Sequence, residues 1–287
     1  MDKAFYDKLF MEIESKTILL TGATDGIGRE TAKILAKAPC NLILHGRNPA
    51  KMESLLRELK IGAKASMNSV FADLSQIAEV HKLAEEVKTK HSGLNLLINN
   101  AGTMQDKSIK SADGIELTFM INYLAPFLLT FDLLPCLEHN EKPRVVFLGS
   151  LGHRVVRADP ADLQSWKPRF GFVRYCRSKL LLMSFALKLG LELAEKPITL
   201  ISVHPGVIPT TKVFNVPFLK PFSHNKVEGA EAVLNAALNP AYEGFKGVYL
   251  ERYKISVPSA QVRDTAFGDL LWQESLKLCG LEGLQIP

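Results

Sequence analysis

The chain has 287 residues, enough for one large core or two small ones, and its 47% apolar and 23% charged residues are ordinary for a folded globular protein. Its formal charge of +5 is spread along the sequence without a block of like charges, which excludes the dense basic stripe that nucleic-acid binding needs. Cys40, Cys136, Cys176 and Cys279 stand far apart, which excludes a cysteine-rich zinc site, leaves no metal expected, and fits a reducing compartment such as the cytoplasm.

Met1 to Thr17 alternates charges with Phe5, Tyr6, Leu9, Phe10, Met11 and Ile13. It is unlike a secretory signal and is expected to be a short helix on the domain surface, with a peripheral membrane anchor as the alternative. No apolar run approaches the ~20 residues that span a bilayer, so no transmembrane segment is expected. Ile18-Leu19-Leu20 reads as a buried strand and Thr21-Gly22-Ala23-Thr24-Asp25-Gly26-Ile27-Gly28 as a glycine turn. Arg29 to Lys37 follows as a helix, with apolar residues at helical spacing. Strand, glycine turn and helix N-terminus in that order make a place to hold phosphates, although a plain strand-to-helix turn uses the same letters.

Asn41 to His45 is a second strand, and a helix follows from about Pro49 to Lys60. Ser69 to Ala72 is a third strand, after which Ser75 is placed to cap a helix ending near Lys90. Leu94 to Ile98, Arg144 to Leu148 and Ile198 to His204 are further strands, and Gly247 to Leu250 is a seventh. Helices are expected over about Gly114 to Leu137, Arg174 to Glu195 and Lys226 to Leu238. Apolar strands alternating with helices predict an α/β fold: a Rossmann-like, doubly wound parallel sheet of about seven strands with helices on both faces. With no Gly, Ser or Pro-rich linker and no repeat, residues 1–287 are expected to form a single dinucleotide-binding domain. Right-handed crossovers then bring the C-terminal ends of the strands to one edge, where ligands bind.

Residues able to do chemistry follow those strand ends. Asn99-Asn100-Ala101-Gly102 comes after the fourth strand, Ser150 after the fifth, and Pro205-Gly206 after the sixth, with Thr210 and Thr211 beyond. Tyr175 and Lys179, four apart, share one helix face. The T-G-x-x-x-G-x-G turn, Asp73-Leu74, N-N-A-G, Asn122, Ser150, Y-x-x-x-K and P-G resemble, in order and spacing from Thr17 to Thr211, the short-chain dehydrogenase/reductase family.

Reduction of a carbonyl by hydride needs a proton donor, and a phenol with pKa near 10 needs help to serve at neutral pH. Tyr175 is therefore the expected general acid/base, Lys179 the ammonium that, together with the oxidised nicotinamide's positive charge, lowers its pKa, and Ser150 the group that holds the carbonyl oxygen. The resemblance further implies that Lys179 bonds the nicotinamide ribose and that Asn122 interrupts its helix to support a proton route. It places Gly22, Thr24, Asp25, Gly26, Ile27, Gly28, Asp73, Leu74, Asn99, Ala101, Gly102, Tyr175, Lys179, Pro205, Gly206 and Thr210 along the cofactor. Each residue alone has a duller role: packing for Tyr175, a solvated charge for Lys179, helix capping for Ser150 and Asp73.

The second strand ends in His45-Gly46-Arg47-Asn48. An acidic residue there would favour NAD, whereas Arg47 can pair with a 2′-phosphate, so NADP is expected over NAD, with Arg29 as a second candidate cation. The segments around Asp113-Gly114-Ile115-Glu116, Ser178-Lys179-Leu180 and Leu271-Trp272-Gln273 resemble the retinol-dehydrogenase-like group. Its microsomal members carry an N-terminal apolar anchor not found in Met1 to Thr17.

Loops 151–173 and 207–225 should frame the substrate cleft, the second with Val213, Phe214, Phe218 and Phe222 to cover a lipophilic aldehyde, ketone, steroid or retinoid. His153, Arg154 and Arg157 are candidates for an anionic substrate group or simply solvated, and His204 reads as a satisfied structural histidine. The resemblance implies a dimer or tetramer built on the helices after Asn122 and Tyr175, unless the extension 251–287 covers them. The rival from another class is a non-catalytic nucleotide sensor or interaction protein on the same fold.

Overall fold

A computed structural model describes residues 6, 10–91, 93–167, 170–208 and 224–283. The strands are β1 (Thr17–Leu20), β2 (Asn41–Gly46), β3 (Ser66–Phe71), β4 (Leu96–Asn99), β5 (Arg144–Leu148), β6 (Thr199–His204), β7 (Lys246–Glu251) and β8 (Lys254–Ser256). The helices are α1 (Gly26–Leu35), α2 (Pro49–Leu59), α3 (Ile77–Lys90), α4 (Leu117–Glu138), α5 (Gly171–Glu192), α6 (Lys226–Leu238) and α7 (Thr265–Leu278).

The sheet order is β3-β2-β1-β4-β5-β6-β7-β8. Seven strands run parallel and β8 pairs antiparallel with β7. The chain is thus a single-domain, doubly wound α/β protein. β1, β4, β5 and β6 are buried along their whole length, because helices cover both faces and a parallel central strand meets no water. β3, at the edge, alternates exposed and half-buried residues, and so the strand begins at Ser66 where hydropathy shows nothing before Ser69. The antiparallel β8 adds an eighth strand to the seven expected.

Two cores flank the sheet. On one face Leu19, Ile43, Leu97 and Val145 pack with residues of α3, α4, α5 and α7; on the other Ile18, Leu20, Leu42 and Val146 pack with α1, α2 and α6. Helix α4 is long and apolar enough to cross a bilayer, contrary to the sequence reading that no such run exists. However, 83% of its most apolar window is buried in the domain, so it is a core helix. Ser75 does not cap α3: Gln76 stands at the N-cap and Asp113 Oδ2 accepts from Ile77 N at 2.8 Å. The N-terminal segment is tied to the domain by Ile13, which is buried, and by Tyr6, whose hydroxyl donates to Glu231 Oε1 at 2.5 Å.

Helix α7 lies over α4 and α5. Trp272 packs 5.5 Å from the Phe127 ring and 5.9 Å from that of Phe185. The Tyr123 hydroxyl donates to Ser275 Oγ at 2.5 Å, and Ser275 in turn donates to Leu271 O. The face on which the resemblance places a dimer contact is covered by the chain's own C-terminal helix.

Candidate active site

The glycine turn is shaped by close approach. Gly22 and Gly26 have φ of +66° and +57°, the left-handed region that glycine enters without penalty. A Cβ on Gly28 would lie 2.2 Å from Gly22 O and 2.4 Å from Asn100 Nδ2, and one on Gly22 would lie 2.9 Å from Ala101 Cα. The turn is therefore pressed against the loop after β4, and no side chain fits between them. Asn100 Nδ2 donates to Thr21 O at 2.7 Å and Gly22 O at 3.2 Å, while Thr21 Oγ1 accepts from Asn100 N and Ala101 N, each at 3.0 Å.

His45, at the end of β2, adds a further tie. Its Nδ1 accepts from Gly22 N at 3.3 Å and its Nε2 donates to Ala72 O at 3.1 Å. Burial pushes this imidazole down to about 4, so at neutral pH it holds the neutral tautomer that both bonds require. The motif letters include Thr21 and Asn100 without showing that these residues join the two loops, and His45 belongs to no motif, since the partners of all three lie far away in sequence.

Asp25 caps α1, accepting from Gly26 N at 2.8 Å, and lies 3.5 Å from Lys51 Nζ. Arg29 N is the first amide of α1 with an intrahelical acceptor among the described residues, on Asp25 O at 3.1 Å. The amides of Ile27 and Gly28 are thus left at the sheet edge with the positive end of the helix behind them. The glycine cradle and these amides fit a pyrophosphate. A Cβ on Gly46 would lie 2.8 Å from Thr24 Cγ2, so glycine at the end of β2 makes room for Thr24.

Of the two cations weighed for a 2′-phosphate, Arg29 is paired with Glu58, which also holds Lys33 at 2.8 Å. Arg47 is exposed and makes no ion pair among the described residues. Asp73 Oδ1 accepts from Ser75 N at 3.1 Å, capping its own turn, and Leu74 is buried. Asn99 is also buried, with Nδ2 donating to Thr130 Oγ1 at 3.1 Å, so its side chain faces α4. Pro205 and Gly206 are buried beyond β6, with Gly206 at φ +107° against His224. Thr210 and most of the 207–225 loop lie outside the described residues.

The reactive constellation converges on α5. Lys179 Nζ, almost wholly buried, donates to Leu148 O at 2.7 Å and lies 5.9 Å from the centroid of the Tyr175 ring. Burial lowers this ammonium to about 8. Ser150 stands beside the Tyr175 phenol and favours its ionised form. Asn122 sits in a π-helical turn, Met120–Leu124, that interrupts α4 as the resemblance implies. Its Oδ1 accepts from Thr103 N at 2.7 Å, and its Nδ2 donates to Thr103 O and Ser178 Oγ, each at 2.9 Å. Ser178 Oγ then donates to Tyr175 O at 2.7 Å. Thr103 and Ser178, neither expected at the site, thus link Asn122 to the catalytic helix. A Cβ on Gly102 would lie 3.4 Å from Asn122 Oδ1 and 3.7 Å from Lys179 Nζ, so the loop after β4 passes directly over both.

Burial, reinforced by Cys176, raises the Tyr175 phenol, while Ser150 beside it opposes the rise. The lowering expected from Lys179 together with an oxidised nicotinamide is therefore not a property of the chain alone, where desolvation leads.

Of the residues weighed for an anionic group, His153 is buried and Arg154 is engaged by Glu251 Oε1 at 2.5 Å, Ser256 Oγ at 3.0 Å and Val257 O at 2.8 Å. Arg157 is exposed. His204 is buried, with no hydrogen-bond partner for Nδ1 among the described residues.

A parallel sheet with a glycine turn at its crossover edge, and a tyrosine and lysine one turn apart beside it, define a dinucleotide-binding oxidoreductase architecture. The chain belongs to the short chain dehydrogenase family, whose model matches residues 16–216. It is 33% identical to human (Homo sapiens) retinol dehydrogenase 12 over 279 residues, covering 94% of this chain and 88% of that protein. It is 32% identical to polyprenol dehydrogenase of Mus musculus over 288 residues, covering 93% and 85% respectively. Among solved structures, an uncharacterised Mycobacterium paratuberculosis protein superposes with a TM-score of 0.78 at 27% identity, covering 97% of this chain and 98% of the other. The NADPH-bound carbonyl reductase from chicken fatty liver shares the fold, with a TM-score of 0.67 at 22% identity, covering 85% of this chain and 100% of the other.

Proposed function

We propose that this protein is an NADP-linked oxidoreductase interconverting a lipophilic alcohol and its carbonyl. The single observation that carries the reading is the convergence of Tyr175, Lys179, Ser150 and Asn122 beside the glycine cradle. Relatives named for retinol and polyprenol, both lipophilic alcohols, support the substrate class. Arg47, exposed and without an ion pair among the described residues, supports NADP over NAD.

Bound at the cradle, NADP(H) supplies or accepts the hydride and brings a positive ring in its oxidised form. The chain's own residues do the rest. Ser150 holds the carbonyl oxygen and steadies the charge that develops there. Tyr175 gives that oxygen its proton, or takes one from the alcohol. Lys179 keeps an ammonium one helical turn away, and Asn122, through Ser178, fixes the backbone on which Tyr175 stands. Because burial holds the phenol up, the acid is tuned by Lys179 together with added positive charge.

Tyr175→Phe tests this reading against a nucleotide-binding protein without catalysis. NADPH oxidation with a panel of lipophilic aldehydes, ketosteroids and retinals should fall at least ~100-fold in the variant, the low end for loss of a general acid, while NADPH still binds. Equal rates in variant and wild type would overturn the role of Tyr175.

A further inference from the structure

We propose that His153 is a positioning residue for Ser150: its ring clamps the Ser150 carbonyl and so fixes the direction in which the Ser150 hydroxyl donates. This rests on the reading above, in which that hydroxyl meets the substrate's oxygen.

Ser150 is held from both ends by the turn it starts. The 3₁₀ turn Leu151–Arg154 begins at Ser150, whose Oγ accepts from Gly152 N at 3.1 Å. That bond occupies a lone pair of the hydroxyl and leaves its proton free to be donated. At the other end, Ser150 O accepts twice from one residue, from His153 N at 3.2 Å and from His153 Nδ1 at 2.6 Å. A carbonyl only accepts, so Nδ1 carries the proton. The turn is also seated on the catalytic helix: a Cβ on Gly152 would lie 2.3 Å from Cys176 Sγ, next to Tyr175. Moving the Ser150 peptide would therefore move the hydroxyl relative to the phenol.

Packing does not account for an imidazole here. The ring is fully buried and meets Tyr249 edge-on at 5.1 Å, a contact a phenylalanine would make as well. Its Nε2 is buried without a hydrogen-bond partner among the described residues, a cost that an apolar ring avoids. Among the described residues, the bond to Ser150 O is the one hydrogen bond the ring makes, so it is what the nitrogen is there to supply.

His153→Phe keeps a ring and removes the donor, whereas His153→Asn places an amide nitrogen where Nδ1 stood. For NADPH-dependent carbonyl reduction, His153→Phe should lower kcat about 10-fold with KM for NADPH unchanged, and His153→Asn should recover to within about 3-fold of wild type. In a Ser150→Ala background, His153→Phe should cost nothing further, because the group it positions is already gone. An equal loss in that background, or a His153→Asn enzyme no better than His153→Phe, would overturn the proposal. Imidazole ¹⁵N shifts give a readout independent of turnover: the Nδ1–H tautomer is expected. A wild-type chain inert towards every carbonyl would defeat the functional reading and this role with it. An Nε2–H ring in an active enzyme would defeat the clamp alone.

Discussion

Lys179 is a cation that the fold holds against its own preference. Burial lowers it from 10.5 to about 8. Between those values the unfolded chain keeps a proton that the folded chain has released, so this group's contribution to stability rises with pH; below about 8 the folded chain carries a desolvated ammonium at a cost. Lys179→Met should therefore leave Tm unchanged or raise it, while carbonyl reduction falls at least ~100-fold; a melting curve and initial rates measure the two together. In the wild type, kcat/KM for reduction should fall as pH rises through about 8, where the free enzyme loses the ammonium. At the adenosine end, Arg47→Ala should weaken NADPH relative to NADH by about 10-fold or more, the worth of a lost charge-assisted hydrogen bond, read from the two Kd values. The candidates Ser150, Tyr175 and Lys179 were nameable from a strand end and a four-residue helical spacing, and Asn122 from the order of motifs that resemble the family's. His45, Thr103, Ser178 and the clamp of His153 on Ser150 were not, since each acquires its meaning from a partner brought near by folding. For Tyr175, spacing reveals the neighbouring ammonium and conceals the burial that raises the phenol in the chain alone.

Among the elements, the glycine turn carries the sharpest steric demand. Gly28→Ala would put a methyl group 2.2 Å from Gly22 O, so the turn must part from the loop after β4. That substitution should cost about 1–3 kcal/mol of stability, the usual penalty for overpacking, and abolish NADP binding at concentrations that saturate the wild type; denaturant unfolding and fluorescence titration check the two effects. The alternation of strand and helix was legible because apolar runs and helical periodicity are local. Boundaries were less so. The polar start of β3 is tolerated only at a sheet edge. Helix α5 begins at Gly171 rather than near Arg174, at a glycine whose Cβ would meet Gln105 O at 2.4 Å, a contact invisible in sequence. β8 has three residues, too few for a pattern.

For the whole molecule, the placement of α7 matters most. The resemblance sets an assembly contact on α4 and α5, and here Trp272, Leu271 and Leu276 occupy that apolar face from within the chain. Trp272→Ala should cost about 3–5 kcal/mol, as for other buried aromatic truncations, and the uncovered face should make the variant self-associate more than the wild type; thermal unfolding and sedimentation velocity together test this. That α7 covers α4 could only be anticipated as an alternative, because a C-terminal helix shows its apolar stripe but not which neighbour receives it.

The account turns on a buried phenol becoming an acid when positive charge is brought beside Lys179. The direct measurement is a spectrophotometric titration of Tyr175, as the difference between wild type and Tyr175→Phe, with and without NADP⁺. Tyr175 should titrate above its ordinary value of 10 in the chain alone and well below 10 in the NADP⁺ complex, with that drop lost in Lys179→Met. A phenol that stays above 10 with NADP⁺ bound would contradict the account.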